Sequence, residues 1–145
     1  MTCTFFGHRD SPHTLKPLIA AAITDLIENH GVDRFYVGTH GNFDGMCFEV
    51  LSELSKKYPI DYAKVYSTAS VKSYGSVNTD YKHMLVPEGI ETKLPKYRIN
   101  YRNGWMINCS KYVITYITNP FGTGAAYFAA EAEKKGKTVI KLGEY

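Results

Sequence analysis

Short β-branched and apolar runs alternate with amphipathic helical stretches along most of this 145-residue chain, and this alternation limits its fold more than any other feature. Five runs predict strands, at residues 2–6, 34–38, 62–66, 111–118 and 138–142. Strands separated by helices pair in parallel through right-handed crossovers, which cover both faces of a sheet with helices. The sequence therefore predicts an α/β fold, a Rossmann-like parallel sheet of about five strands, in a single domain over residues 1–145.

Apolar residues at helical spacing predict four helices between these strands. The second helix follows Gly45 and stops at Pro59, and Asp44 is expected to cap it. A short third helix is predicted at 103–109, and an alanine-rich fourth helix begins at Gly124. Residues 67–95 are polar, rich in tyrosine and interrupted by glycine and proline. A connection of this length is typical of a functional flap rather than a linker.

Charge and cysteine content exclude several classes of protein. The formal charge is only +3, with basic residues scattered among carboxylates, so a nucleic-acid-binding module is not expected. The three cysteines lie far apart and form no short cluster with histidine, so neither a metal site nor a cofactor is predicted. The chain has no signal-peptide pattern and no apolar run of about 20 residues. We therefore expect a cytoplasmic protein without membrane contact.

Glycine-rich loops follow three of the predicted strands, at residues 7–9, 38–45 and 119–124. Ligands of parallel sheets bind beyond the carboxyl ends of the strands, and glycine lets backbone amides approach a phosphate at a helix start. None of the loops spells GxGxxG or GxxxxGK[ST]. Together they predict a phosphate site, whose candidate residues are Gly7, His8, Arg9, Gly38, Thr39, Gly41, Asp44, Arg102, Gly122, Thr123 and Gly124.

Within this set, the arginines and histidines admit different roles. Arg9 and Arg102 are predicted to clamp a phosphate or carboxylate because a guanidinium presents a fixed fork of donors, and Arg98 is a third candidate. The alternative for each is an ion pair with a surface carboxylate. His8 is interpreted either as an acid–base group or as a structural hydrogen-bonding residue, and His40 as structural.

Four motifs in this order resemble the SLOG superfamily: Gly7-His8-Arg9, the 38–45 loop, the sequence Arg-Asn-Gly-Trp-Met at 102–106, and the helix start at 122–124. SLOG members are Rossmann-like nucleotide-binding domains, among them the Lonely Guy phosphoribohydrolases, the lysine-decarboxylase-like proteins and DprA. The resemblance covers essentially the whole chain and is greatest to small stand-alone proteins of bacteria and phages. It implies a nucleotide ligand and a homodimer or higher homo-oligomer, for which Trp105 and Met106 would suit an interface.

The resemblance includes one departure that bears on activity. Arg102 and Met106 are similar to the RxxxM pattern of the phosphoribohydrolases, and Gly122 and Thr123 to the glycine and threonine of PGGxGTxxE. The glutamate of that motif is missing, because residues 124–127 read Gly-Ala-Ala-Tyr. Without a positioned carboxylate, a developing oxocarbenium ion and the attacking water lose their usual partner.

Three functions remain open from the sequence. The first is a sensor or sequestering protein that binds an adenine nucleotide, an NAD-derived molecule or a cyclic nucleotide, as SLOG domains of bacterial and phage defence systems look like ligand readers. The second is an N-glycosidic hydrolase of a nucleoside monophosphate or related glycoside, with Asp44 or Glu88 as its carboxylate. The third is a structural protein that only shares the fold.

Overall fold

A six-stranded parallel sheet forms the centre of the computed structural model, which describes residues 1–68, 83–119, 121 and 123–143. The strands are β1 (Thr2–Gly7), β2 (Arg34–Val37), β3 (Asp61–Val65), β4 (Met84–Leu85), β5 (Tyr112–Tyr116) and β6 (Thr138–Lys141). Their order across the sheet is β4-β3-β2-β1-β5-β6, and every neighbouring pair is parallel. The predicted Rossmann-like α/β fold is confirmed.

Four α-helices and three short 3₁₀ turns connect these strands in the described ranges. The helices are α1 (Lys16–His30), α2 (Gly41–Leu54), α3 (Arg98–Cys109) and α4 (Gly124–Lys134), and the 3₁₀ turns are His13–Leu15, Ile90–Thr92 and Pro95–Tyr97. Within the described part of the chain, no helix has both the length and the apolar character that a membrane span requires.

Two hydrophobic cores lie on opposite faces of the sheet, because successive strand residues point to opposite sides. Phe5 packs into the core under α1 and α2, where its ring lies 6.2 Å from that of Phe35. The next residue, Phe6, packs into the core under α3 and α4, with its ring 5.6 Å from that of Phe128. The helices therefore cover both faces, as the alternating sequence pattern predicts.

The structure corrects three boundaries of the sequence interpretation. The strand Met84–Leu85 lies inside the 67–95 segment that was expected to lack regular structure; two residues are too few for a strand pattern. Residues 69–82 of that segment lie outside the described residues. The second helix begins at Gly41 rather than after Gly45, and α3 begins at Arg98, so that it is nearly twice as long as expected.

The structure also corrects the expectation that Met106, together with Trp105, suits an interface between subunits. Met106 is buried within the monomer, and its sulfur lies 3.5 Å from the Thr4 hydroxyl oxygen. Trp105 is partly buried, and its ring lies 5.2 Å from that of Tyr36. Both side chains contribute to the core between α3 and the sheet.

Candidate functional site

The order of the strands reverses between β1 and β5, and a cleft lies at this switch point. The chain moves outward from β1 to β4, then crosses back to place β5 and β6 on the other side. The loops after β1 and β5 therefore diverge to opposite faces of the sheet and leave a crevice between them. The cleft has a volume of about 550 Å³. It includes residues from α2, α3 and the first turn of α4.

Most of the predicted site residues meet in this cleft. It is lined by Gly7, His8, Arg9, Gly38, Asp44, Arg102, Thr123 and Gly124. Thr39 contacts the cleft wall through its hydroxyl, which accepts a hydrogen bond from Arg102, and Gly41 packs against Arg9. Gly122 lies outside the described residues.

Two candidates lie elsewhere. The exposed residue Glu88 is not part of the cleft wall, and its backbone carbonyl accepts a hydrogen bond from the Tyr101 hydroxyl at 2.8 Å. The Arg98 side chain donates from Nε to the Lys93 carbonyl at 2.9 Å, which holds it against the preceding turn. We therefore exclude Arg98 from the group of arginines that line the cleft.

Arg102 is a buried arginine in the cleft wall, with only 3% of the residue exposed. Its Nε donates to the Asn103 side-chain oxygen at 3.0 Å. One terminal nitrogen donates to the Thr39 hydroxyl at 2.9 Å and to the Val65 carbonyl at 3.3 Å. Burying a cation is costly unless its donors are satisfied, and these contacts also fix the plane of the guanidinium. Arg102 thus presents a fixed positive charge to the cleft.

Asp44 approaches Arg102 across Gly38. A methyl group added to Gly38 would lie 2.6 Å from Asp44 Oδ2 and 3.6 Å from Arg102 Cζ, so only glycine leaves room for this approach. Burial raises the pKa of the Asp44 carboxyl to about 6, while the hydrogen bond from the His40 amide and the Arg102 charge act in the opposite direction. Asp44 is therefore a carboxyl group that can change its protonation near neutral pH.

The predicted capping role of Asp44 is correct in part. The residue that precedes α2 is His40, whose side chain makes no capping hydrogen bond. Asp44, in the first turn, instead accepts the His40 backbone N–H at 3.1 Å through Oδ2. This one-way contact resembles the half of a capping box in which a carboxylate of the first turn accepts the N–H of the residue before the helix, and the negative charge of Asp44 favours the helix start. The sequence interpretation placed the helix start too late, which made Asp44 look like the cap itself.

Arg9 lies at the exposed end of the site. Its backbone carbonyl accepts the Asn42 N–H at 2.9 Å, which joins the β1 loop to the start of α2. Gly41 allows this contact because its φ of +86° suits glycine, and a methyl group there would lie 2.7 Å from the Arg9 Cα. Burial is the main cause that lowers the pKa of His40, and the positive charges of Arg102 and Arg9 lower it further. Both guanidinium groups therefore act on the same region of the cleft.

The start of α4 forms the opposite side of the cleft. The Thr123 hydroxyl caps this helix by accepting the Ala126 N–H at 3.1 Å. Gly124 is exposed, and a methyl group on it would meet no atom of the described residues within 4 Å, so the first turn is open on this side. Gly124 and Ala125 line the cleft. Their backbone N–H groups belong to the turn that lacks intrahelical acceptors.

Sequence reasoning missed one face of α3. Ile99, Arg102, Asn103 and Met106 all line the cleft, and their spacing of three and four residues is that of a single helix face. This periodicity is present in the sequence, but the predicted helix began at residue 103 and therefore left out Ile99 and Arg102. Tyr116, the last residue of β5, also lines the cleft and was missed.

No protein-family model matches this chain, and no curated protein is significantly similar to it. The class of the protein therefore follows from its fold and its site alone. It is a Rossmann-like α/β protein with a cleft at the switch point of its parallel sheet. A buried arginine and a carboxyl group of raised pKa line this cleft.

Proposed function

We propose that this protein binds a nucleotide or a nucleotide-derived ligand in the switch-point cleft. The observation that carries the proposal is the position of Arg102, a buried guanidinium whose plane is fixed by three hydrogen bonds, in the wall of that cleft. The cleft volume of about 550 Å³ is within the usual range of small-molecule sites, about 300–1,000 Å³.

The distribution of polar and apolar groups supports a ligand with a phosphate and a flat ring. Arg9 and Arg102 supply the positive charge, and the open first turn of α4 supplies backbone N–H donors. Ile99, Met106 and Tyr116 supply an apolar and aromatic surface in the same cleft. A nucleobase packs favourably on such a surface, while its phosphate requires the charged end.

The resemblance to SLOG domains supports a nucleotide rather than another phosphorylated compound. An adenine nucleotide, an NAD-derived molecule or a cyclic nucleotide fits this proposal, with the protein as a sensor or sequestering protein of a bacterial or phage defence system. The missing glutamate after Thr123 favours binding over turnover. The thiols of Cys3, Cys47 and Cys109 are all free, which suits a cytoplasmic location, where thiols stay reduced.

Arg9 and Arg102 provide the test of the binding proposal. Calorimetry and thermal unfolding with AMP, NAD and cyclic adenine nucleotides are expected to give a measurable affinity and a raised melting temperature. Arg9→Ala and Arg102→Lys should each weaken binding by about tenfold or more, since each removes donors to a phosphate. Arg98→Ala is the matched control, because that arginine lies outside the cleft. Equal affinities in all three variants, or no binding at millimolar ligand, would reject the proposal.

A second function, N-glycosidic hydrolysis, is favoured by the environment of Asp44. A carboxyl group with a pKa of about 6 can serve as an acid or a base at neutral pH, and it lines the same cleft as Arg102. Glu88 does not line the cleft, which leaves Asp44 as the better of the two candidate carboxylates. Hydrolysis would release the free base from a nucleoside monophosphate.

Chromatography of the products distinguishes turnover from binding. Released base that disappears in Asp44→Asn but persists in Glu88→Gln would establish the hydrolase, with Asp44 as its carboxylate. Binding without any released base would leave the sensor or sequestering function. Activity that is lost in Glu88→Gln instead would contradict the assignment of Asp44.

We also propose that the protein forms a homodimer or a higher homo-oligomer. Leu94, Tyr97 and Ile99 are exposed by 60%, 51% and 42%, close together in sequence around the start of α3. Aromatic residues are enriched in protein interfaces, and the cores of homodimer interfaces are more apolar than the rest of the surface. Sedimentation of the wild type and of Tyr97→Glu tests this proposal: a dimer that the variant converts to monomer supports it, and a wild-type monomer contradicts it.

A further inference from the structure

His8 connects the two loops that flank the switch point. Its Nε2 atom accepts hydrogen bonds from the backbone N–H of Thr118 at 2.7 Å and of Asn119 at 3.3 Å. Two successive backbone N–H groups therefore converge on one acceptor just beyond β5, among residues that line the cleft. Converging backbone N–H groups form the concave nests that bind phosphate and other oxyanions.

This contact requires a neutral imidazole. Nε2 accepts a hydrogen bond only through its lone pair, so the ring proton must be on Nδ1. In an imidazolium ion both nitrogens are donors, and an Nε2–H would point at two other N–H groups. The His8 contact with Thr118 and Asn119 is therefore incompatible with protonation of the ring.

The charges around His8 favour a cationic ring once an anion has entered the cleft. Charged or titratable groups reach the cleft from each neighbouring element: Arg9 and Asp10 from the β1 loop, His40 and Asp44 from the start of α2, Arg102 from α3 and Tyr116 from β5. The Tyr116 ring meets the imidazole edge-on, 6.3 Å between centroids. Two guanidinium groups balance two carboxylates at neutral pH, so a bound dianion would leave negative charge for an imidazolium to offset.

We propose that His8 is a latch that an oxyanion displaces. The anion takes the N–H groups of Thr118 and Asn119, and the released imidazole accepts a proton from solvent and binds the anion as a cation. This inference rests on the proposed function, since it assigns the phosphate of the ligand to the nest beyond β5. It adds two consequences of anion binding. The protein takes up a proton, and the β1 loop, which contains His8, loses its hydrogen bonds to the β5 loop.

Sulfate is the probe of choice for the coupling, because it stays a dianion throughout the neutral range. Calorimetry of the wild-type protein in two buffers of different ionisation enthalpy should give different heats, which correspond to uptake of a proton by the protein. Sulfate affinity should rise by up to about tenfold between about pH 8 and pH 6. Equal heats in both buffers together with measurable binding would overturn the proposal.

Nuclear magnetic resonance locates the anion on the wild-type protein and does not depend on a variant that folds. Sulfate should shift the amide resonances of Thr118 and Asn119 and should change the His8 ring nitrogens from the neutral to the protonated pattern. If only the amides of Gly124 and Ala125 respond, the anion binds at the start of α4, and the latch is rejected while a phosphate site remains.

His8→Gln separates the acceptor from the proton. A glutamine carbonyl can still hold the two backbone N–H groups but cannot be protonated in this range. The variant should bind sulfate about tenfold more weakly than wild type at about pH 6 and should take up fewer protons on binding than wild type does. His40→Gln is the control for another histidine of the cleft and should retain the uptake. If proton uptake is lost in His40→Gln but not in His8→Gln, then His40 takes up the proton, and the latch is contradicted.

The two proposals fail in different ways. Absence of binding for sulfate and for every nucleotide rejects both. Nucleotide binding that depends on Arg9 and Arg102 but leaves His8 neutral and bound to Thr118 rejects the latch alone.

Discussion

Gly7, at the end of β1, has no space for a side chain, and the reason is the protein's own packing. A methyl group there would lie 2.3 Å from Cγ of Phe43, whose fully buried ring is on the core-facing side of α2. The sequence suggested that glycine at this position admits a ligand. The structure instead gives Gly7 a role in seating α2 against the strand end, and the same residue still lines the cleft.

Gly7→Ala should therefore destabilise the fold by about 1–3 kcal/mol, because the buried ring has to move. Gly45→Ala is the matched control: that glycine lies on the exposed side of α2, and no atom of the described residues is within 4 Å of the added methyl, so the change should stabilise by about 0.5–1 kcal/mol. Denaturant unfolding measures both. A Phe43→Leu background should reduce the cost of Gly7→Ala, and equal effects of the two alanine variants would contradict the packing explanation.

Asp44 gives a second prediction at the residue scale, in the pH dependence of stability. Its pKa is raised in the folded state, from 3.8 to about 6, so the folded protein holds more protons than the unfolded chain across this window. Stability should therefore fall as the pH rises from about 4 to about 6, by roughly 1–3 kcal/mol from this group.

Asp44→Asn removes this contribution. The free energy of unfolding of the variant, relative to wild type, should rise over the same window and stay constant above about pH 7. Denaturant unfolding of both proteins at several pH values measures the difference. Parallel stability curves for the two proteins would show that the Asp44 carboxyl titrates no differently in the folded state.

At the scale of elements, α3 and α4 position the two sides of the cleft by different means. α3 presents a face of four residues, spaced as on one side of a helix, with Arg102 at its centre. α4 contributes only its first turn, whose geometry depends on the Thr123 hydroxyl. The capped start of α4 is thus part of both the fold and the candidate site.

Thr123→Ala should cost about 1 kcal/mol of stability, because the Ala126 N–H loses its acceptor. Thr123→Ser keeps a hydroxyl and should remain close to wild type. Thermal or denaturant unfolding of the two variants provides the comparison. A serine variant as unstable as the alanine variant would show that the threonine methyl group, and not the cap, is what stabilises this turn.

At the scale of the whole molecule, the sheet has a protected centre and less protected edges. β1 pairs with β2 on one side and β5 on the other, and its residues from Cys3 to Phe6 are buried. Among the described strands, β6 pairs with β5 only, and its side chains are exposed or partly buried. The cleft lies over the carboxyl end of the most protected strand, which gives its walls a rigid base.

Native-state hydrogen exchange should reflect this arrangement. Backbone amides of β1 should exchange only through global unfolding, whereas those of β6 should exchange through local opening of lower free energy. The expected order is slow exchange at Phe5 and Ile114 and faster exchange at Thr138 and Lys141. Uniform protection from β1 to β6 would mean that the sheet opens only as one unit.

Much of the fold follows from local patterns in the sequence. The alternation of strands and helices and the capped start of α4 each depend on residues close together in the chain, and the parallel pairing of the strands is expected from the helical crossovers between them. Periodicity and capping are local properties, so they can be recognised without a structure. The strand β4 could not be recognised from the sequence, because its two residues have no periodicity and form a strand only by pairing with β3.

The candidate site depends on contacts that the sequence does not contain. Asp44 and Glu88 look alike as carboxylates in loops, yet only Asp44 reaches the cleft. Arg98 and Arg102 lie on one helix, yet only Arg102 is buried in the cleft wall. The strand order and the rotation of α3 decide both cases, because they determine which loops and which helix face meet over β1. The sequence by itself thus determined the class of fold and the region of the candidate site, while the tertiary structure decided which charged groups lie together there.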